Sequence, residues 1–160
     1  MGSNRRWLYG KYTPENPSKV IGKGKTNYRS SYERRFMYWC DHFDAVKQWS
    51  YEDIIIPYVC RLDHKPHRYF IDFYVVCINP DTGNEDKFII EVKPSIQMKP
   101  PVKKRFKSKR SFLQASSTYI VNRDKQLAAQ AFCKTHGMLY RVITEKHIKC
   151  VDLLQRNILY

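Results

Sequence analysis

At 160 residues with 42% hydrophobic content, the chain suits one domain with a sizeable core and is too short for two of ordinary size. Lysine and arginine number 29 against 15 acidic residues, and the resulting net charge of +14 points to a polyanionic partner, nucleic acid ahead of an anionic membrane surface or a basic assembly protein. No run approaches 18 apolar residues, the opening residues lack an apolar signal core, and the 5 cysteines, never in CxxC, read as reduced thiols, so no membrane span and an intracellular, soluble protein are expected.

Residues 1–29 mix Arg, Lys, Gly, Pro and Asn without apolar periodicity. They read as a mobile or partner-ordered basic arm, in which Arg5, Arg6, Trp7, Lys11 and Tyr12 would lie along a groove, ahead of a domain over 30–160. Ser30 followed by Glu33 has capping-box spacing, and Tyr32, Phe36, Trp39, Cys40 and Phe43 recur at helical intervals, predicting a short amphipathic helix. Val46–Val59 favours strands, with Pro57 pushing its second part to a sheet edge. Tyr69–Ile78 and Lys87–Lys93 are strong strand signals, and Pro80, Asp81 and Gly83 between them predict a hairpin turn. Residues 94–121 read as irregular, with Phe112–Val121 apolar enough to be buried or to form an interface. A helix is expected from about Arg123, capped by Asn122, to His136, with Gly137 as its stop. A strand over Met138–Thr144 and a last helix around Ile148, Val151, Leu154 and Ile158 complete an α/β reading, a mixed sheet with helices packed on it.

The hairpin carries the chemistry. If its turn is symmetric about Asp81–Thr82, paired residues have numbers adding to 163, which sets Asp72 opposite Glu91. Opposed side chains on one sheet face have Cβ atoms about 5 Å apart, and like charges there destabilise the sheet. Strand alternation brings Lys93 to the same face as Glu91, while Ile90 and Val92 point into apolar packing. Hard oxygen ligands at this spacing suit Mg²⁺, with Mn²⁺ as a substitute; such an ion polarises a phosphodiester and activates water, and Lys93 would steady the developing charge. The competing reading is an ordinary cross-strand ion pair. Glu33 is a further candidate ligand, with helix capping as its alternative role.

These residues, in YRSSYERRF, IIIPY, YFIDFYV, IIEVKP and NRDKQLAAQAFCKTHGMLYRVITEK, resemble the PD-(D/E)XK nuclease superfamily. The branch resembled most holds the TnsA transposase endonuclease and the head-completion nucleases of large tailed bacteriophages. The resemblance implies a restriction-endonuclease-like αβββαβ core that cuts double-stranded DNA with Mg²⁺. It sets Glu33 on the family's helix glutamate, Asp72 on its motif aspartate, Glu91 and Lys93 on its (D/E)xK pair, and Lys125 on a lysine of the following helix, there either to approach the phosphate backbone or as a solvated helix residue. Ile71 stands where proline often precedes the aspartate, and Glu91 stands where TnsA-like proteins have glutamine. Small size favours the head-completion relative, which implies processing of phage genome ends in the host cytoplasm, with head or portal components as partners and a possible virion association. A non-catalytic nucleic-acid-binding or virion assembly protein on the same fold, and a transposition endonuclease, are the alternatives.

Lys103, Lys104, Arg105, Lys107, Lys109 and Arg110 suit backbone phosphate contacts, and Arg29, Arg34 and Arg35 add positive charge beside Glu33; a solvated loop is the bland reading of the run. One active site per chain implies nicking unless two copies form a homodimer. Cys60, His64 and His67 have zinc-ligand types without a clear fourth member, and solvated loop histidines are the preferred reading.

Overall fold

The computed structural model describes residues 9–149 and 152–160. Arg5, Arg6, Trp7, Val151 and Cys150 therefore lie outside the described residues. Ser30 caps the first helix, α1 (Ser31–His42), by accepting from the Glu33 amide at 3.1 Å. The apolar stripe behind that cap buries Phe36, Met37, Trp39 and Cys40.

That stripe packs on one face of a four-stranded mixed sheet made of β3 (Val46–Tyr51), β6 (Phe73–Ile78), β7 (Glu85–Val92) and β8 (Leu139–Ile143), in that order. Alternation along β7 sends Phe88, Ile90 and Val92 to this face, where they meet Trp49, Phe73 and Ile143. Phe36 abuts Phe73 edge-on at 4.8 Å between ring centroids. Burying each such aromatic ring contributes roughly 1.5–3 kcal/mol, so this face anchors the fold. Ile89 points the other way, into a second core with Ile56, Tyr69, Ile71, Ala129 and Cys133.

β6 and β7 pair antiparallel with Phe73 against Ile90 and Ile78 against Glu85, so the register expected from the turn is the one formed. β7 and β8 run parallel, as a crossover through the long helix α2 (Lys109–His136) requires. Gly137 ends α2 at φ 64, a left-handed conformation that glycine adopts without cost.

Several elements differ from the sequence reading. The strand signal over Tyr69–Ile78 is two strands: β5 (Pro66–Phe70) pairs with β4 (Ile55–Val59) in a separate ribbon, and the chain re-enters the main sheet at Phe73. Pro57 tolerates that position because β4 has only one partner strand. α2 begins at Lys109 under a Ser108 cap, well before Asn122, and its first half buries no residue. The last expected helix is a single turn, α3 (Glu145–Ile148), followed by a 3₁₀ turn at Leu153–Gln155.

The described part of the expected mobile arm lies on the domain. Gly10–Lys11 (β1) pairs with Asn27–Tyr28 (β2), and buried Asp41 accepts from the Tyr12 hydroxyl and the Glu15 and Asn16 amides at 2.8–2.9 Å. A carboxylate with no solvent access needs such donors, and residues 9–29 supply them. Among the described residues no helix is long and apolar enough to cross a membrane.

Candidate active site

Asp72 sits where the chain leaves the ribbon and enters β6. The ladder stops at Phe73–Ile90, and the Asp72 side chain takes over: Oδ2 accepts from the Val92 amide at 2.7 Å. Its carbonyl accepts from the Glu52 amide at 3.0 Å, and Glu52 holds φ 50 to make that turn. The half-buried residue is thus held through one side-chain oxygen and through its backbone carbonyl. Burial, and then the Glu91 charge, push its pKa well above the usual carboxylate range.

Glu91 is 6% exposed, on the Ile89 face of β7, and Lys93 follows on the same face. Lys93 Nζ lies 2.5 Å from Glu91 Oε1, and the buried Tyr69 hydroxyl donates to Oε2. Tyr69 is itself flanked by Lys125, whose Nζ lies 5.3 Å from the ring centroid, and by Tyr140. Burial and the neighbouring Glu91 raise the Tyr69 and Tyr140 hydroxyl pKa values, so both are donors at neutral pH.

Glu33 reaches the same end of the sheet from α1. Its Oε2 accepts from the Arg29 amide at 2.7 Å and the Tyr51 hydroxyl at 2.9 Å, and its charge is felt at Asp72. The amide that Glu33 caps is that of Arg29 rather than the Ser30 amide of a capping box, and the same carboxylate is near enough to act on Asp72 by its charge.

The donor set fits a hard divalent cation. Two carboxylates face one ammonium, leaving negative charge uncompensated before Glu33 is counted. Asp72 Oδ1 and Glu33 Oε1 receive no hydrogen bond from any described residue. All-oxygen ligands match Mg²⁺ or Mn²⁺ rather than a softer ion. The expected ion pair also exists, as Lys93 with Glu91; it neutralises Glu91 and leaves Asp72 under strain.

The basic candidates divide by position. Lys125 borders the site over Tyr69, and Arg123 and Gln126 of α2 line a shallow recess with Lys93, Gln97 and Tyr119. Lys103, Lys104, Arg105, Lys107, Lys109 and Arg110 are exposed along the approach to α2 and its first turn, roughly 20 Å of helix from Arg123. Arg29 is engaged by Glu52 through both Nη atoms at 3.1 Å. Arg34 and Arg35 line a separate cleft with Tyr38 and Lys149, and Arg35 Nε donates to the Ile148 carbonyl at 2.7 Å, so the structure does not bring this pair to the carboxylates.

Tyr69, Tyr51 and Arg123 escaped the sequence reading. Tyr69 belongs to β5, which pairs with β4 and not with β7, so no alternation links it to Glu91. The Cys60, His64, His67 grouping weighed from the sequence differs in membership from the one formed: Cys60 and His67 meet Asp63, while His64, at φ 55, adds no atom to the group.

Residues 43–145 match the family model described as TnsA-like endonuclease N terminal. The chain is also 35% identical over 146 residues to the "Head completion nuclease" of Enterobacteria phage T4, a match spanning 89% of this chain and 94% of that protein. The matched segment contains Asp72, Glu91 and Lys93 on a mixed sheet flanked by helices, and the chain belongs to the TnsA-like endonuclease family.

Proposed function

We propose that this endonuclease hydrolyses DNA phosphodiesters with Mg²⁺, Mn²⁺ substituting, through Asp72, Glu91, Lys93 and Glu33, and that it processes phage genome ends during head completion. The observation that carries the reading is the approach of Asp72, just past the end of the β6–β7 ladder, to Glu91 and Lys93, whose charges it feels, with carboxylate oxygens left without donors. Asp72, Glu91 and Glu33 would hold the ion, which when bound polarises the scissile phosphate and lowers the pKa of its water. Lys93, released from Glu91 once other positive charge arrives, steadies the charge developing on the phosphorus oxygens. Tyr69 keeps Glu91 oriented, and Tyr51 does the same for Glu33.

DNA lies along α2 in this reading. Lys125 and Arg123 contact phosphates beside the cut, and the basic run from Lys103 to Arg110 contacts them farther along. These contacts supply affinity rather than sequence preference. One centre per chain nicks one strand; two copies cut both, with phage head or portal components as protein partners in the host cytoplasm. The test is incubation of the purified chain with supercoiled plasmid. Nicking or linearisation with Mg²⁺ that is lost with EDTA and in Lys93→Ala is expected. Equal cleavage by Lys93→Ala, or none by the parent with either ion, refutes the assignment.

A further inference from the structure

Away from the carboxylate centre, one mixed group of metal-binding side chains stands out among the described residues. The Cys60 sulfur, an Asp63 carboxylate oxygen and a His67 ring nitrogen all lie within 4.8 Å of one another. We propose that these residues form a zinc site at the tip of the β4–β5 ribbon, with the fourth coordination position open to solvent.

The backbone assembles the ligands. The Cys60 amide donates to the Lys65 carbonyl at 3.0 Å and the His64 amide to the Cys60 carbonyl at 2.8 Å, which closes the turn. His67 then sits one residue inside β5, opposite Tyr58 and stacked on its ring at 5.5 Å. The Lys65 amide holds Asp63 Oδ1 at 3.1 Å and leaves Oδ2 facing His67 Nε2 at 2.9 Å. Next to Cys60, Arg61 is clamped to Asp124 of α2 through its amide at 2.9 Å and its Nε at 2.5 Å.

The donor types choose the ion. Thiolate, imidazole and carboxylate together are the ligands of zinc, whereas Mg²⁺ takes oxygen ligands and keeps its waters. An Asp63–His67 ion pair alone accounts for two of the three groups, and its partners are 40% and 42% exposed, where such a pair is worth little. It does not account for a thiol, 5% exposed, turned to the same point.

The ribbon has a use for a clip. Its strands pair only with each other, and Val59 and Leu62 at its tip are 63% and 48% exposed. Ile56, Tyr69 and Ile71 pack the base of the ribbon against α2, and a metal would hold its exposed tip, since a two-stranded hairpin is marginally stable where nothing covers it. The ribbon carries Tyr69, the partner of Glu91, so securing it also secures the candidate active site.

Cobalt distinguishes this site from the carboxylates. The full-length chain, stripped with chelator, is titrated with Co²⁺ under reducing conditions. A thiolate-to-cobalt charge-transfer band that is abolished in Cys60→Ser and displaced by Zn²⁺ is expected; cobalt on Asp72 and Glu91 gives no such band. Absence of the band in the parent, or its persistence in Cys60→Ser, overturns the proposal. Should Cys60→Ser lose the parent's circular dichroism spectrum, His67→Gln decides instead. Loss of an outer-shell partner already weakens metal binding roughly 10–100-fold, so a drop of at least about tenfold supports the site and unchanged affinity overturns it. The readout is independent of cleavage, so an inactive nuclease leaves the zinc assignment testable.

Discussion

Replacing Asp72 by Asn should make the metal-free protein more stable while abolishing cleavage. The amide keeps an oxygen for the Val92 N–H and removes the charge opposite Glu91. A like-charge pair at opposed strand positions costs up to about 1 kcal/mol. For a chain of this size that is a melting-temperature rise of about 2–4 °C. The sign with pH follows from the raised pKa of Asp72. Between the ordinary aspartate value, about 3.9, and the higher folded value, the folded state binds more proton than the unfolded one, so the parent loses stability as pH rises through that window. The advantage of Asp72→Asn is therefore absent near pH 3.5, grows with pH, and is complete above the folded value. Thermal melts of both proteins in EDTA, at about pH 4 and about pH 8, measure the gap. Adding Mg²⁺ at the higher pH should raise the parent and leave the variant unmoved. A variant that melts at or below the parent at about pH 8 in EDTA, or a gap that ignores pH, refutes the charge argument.

Tyr69→Phe should keep the fold and lower Mg²⁺-dependent plasmid cleavage by roughly tenfold or more, because Glu91 loses the donor that orients it; parent-level rates would show that Glu91 needs no such support. Asp41→Ala removes three charge-assisted hydrogen bonds and should cost about 3 kcal/mol by urea unfolding. Trypsin should then cut first at Lys11, Lys19, Lys23 or Lys25, and an unchanged digestion pattern would contradict the lock described for residues 9–29. Ser95 holds Glu145 down to a pKa of about 2 through its hydroxyl and its amide, the latter at 2.8 Å. That contribution to stability is present above the ordinary glutamate value and fades as pH falls toward 2. In Ser95→Ala the Glu145 titration, followed by NMR, should move up toward the usual range.

The parts of the fold that were legible in the sequence are those where one local rule decides. The Ser30 cap, the Gly137 stop and the symmetric turn fix their neighbours without help from distant packing, and the turn alone sufficed to set the β6–β7 register from Phe73–Ile90 to Ile78–Glu85. The start of α2 was hidden because serines, threonine and β-branched residues mask helix propensity across Phe112–Val121, and no residue of 109–121 is fully buried to mark a core face. The break between β5 and β6 was hidden for the opposite reason. Alternating apolar residues run straight through Ile71 and Asp72, and only the competition between two partner strands divides them. Glu33 was placed by resemblance, since a helix cap and a site ligand write the same letter.

Two of the three acidic residues at the candidate centre, Asp72 and Glu33, are each held by one of their own oxygens, whereas Glu91 has both engaged. Asp72 gives Oδ2 to Val92, and Glu33 gives Oε2 to Arg29 and Tyr51, while the second oxygen of each stays uncommitted. The aim of these two carboxylates is therefore set when the chain folds, and a cation arriving at the proposed site would have neither side chain to recruit from solvent. An amide substitution at either residue leaves the anchoring half intact and disables only the outward half, so the two duties of a single carboxylate can be separated by exchanging one atom.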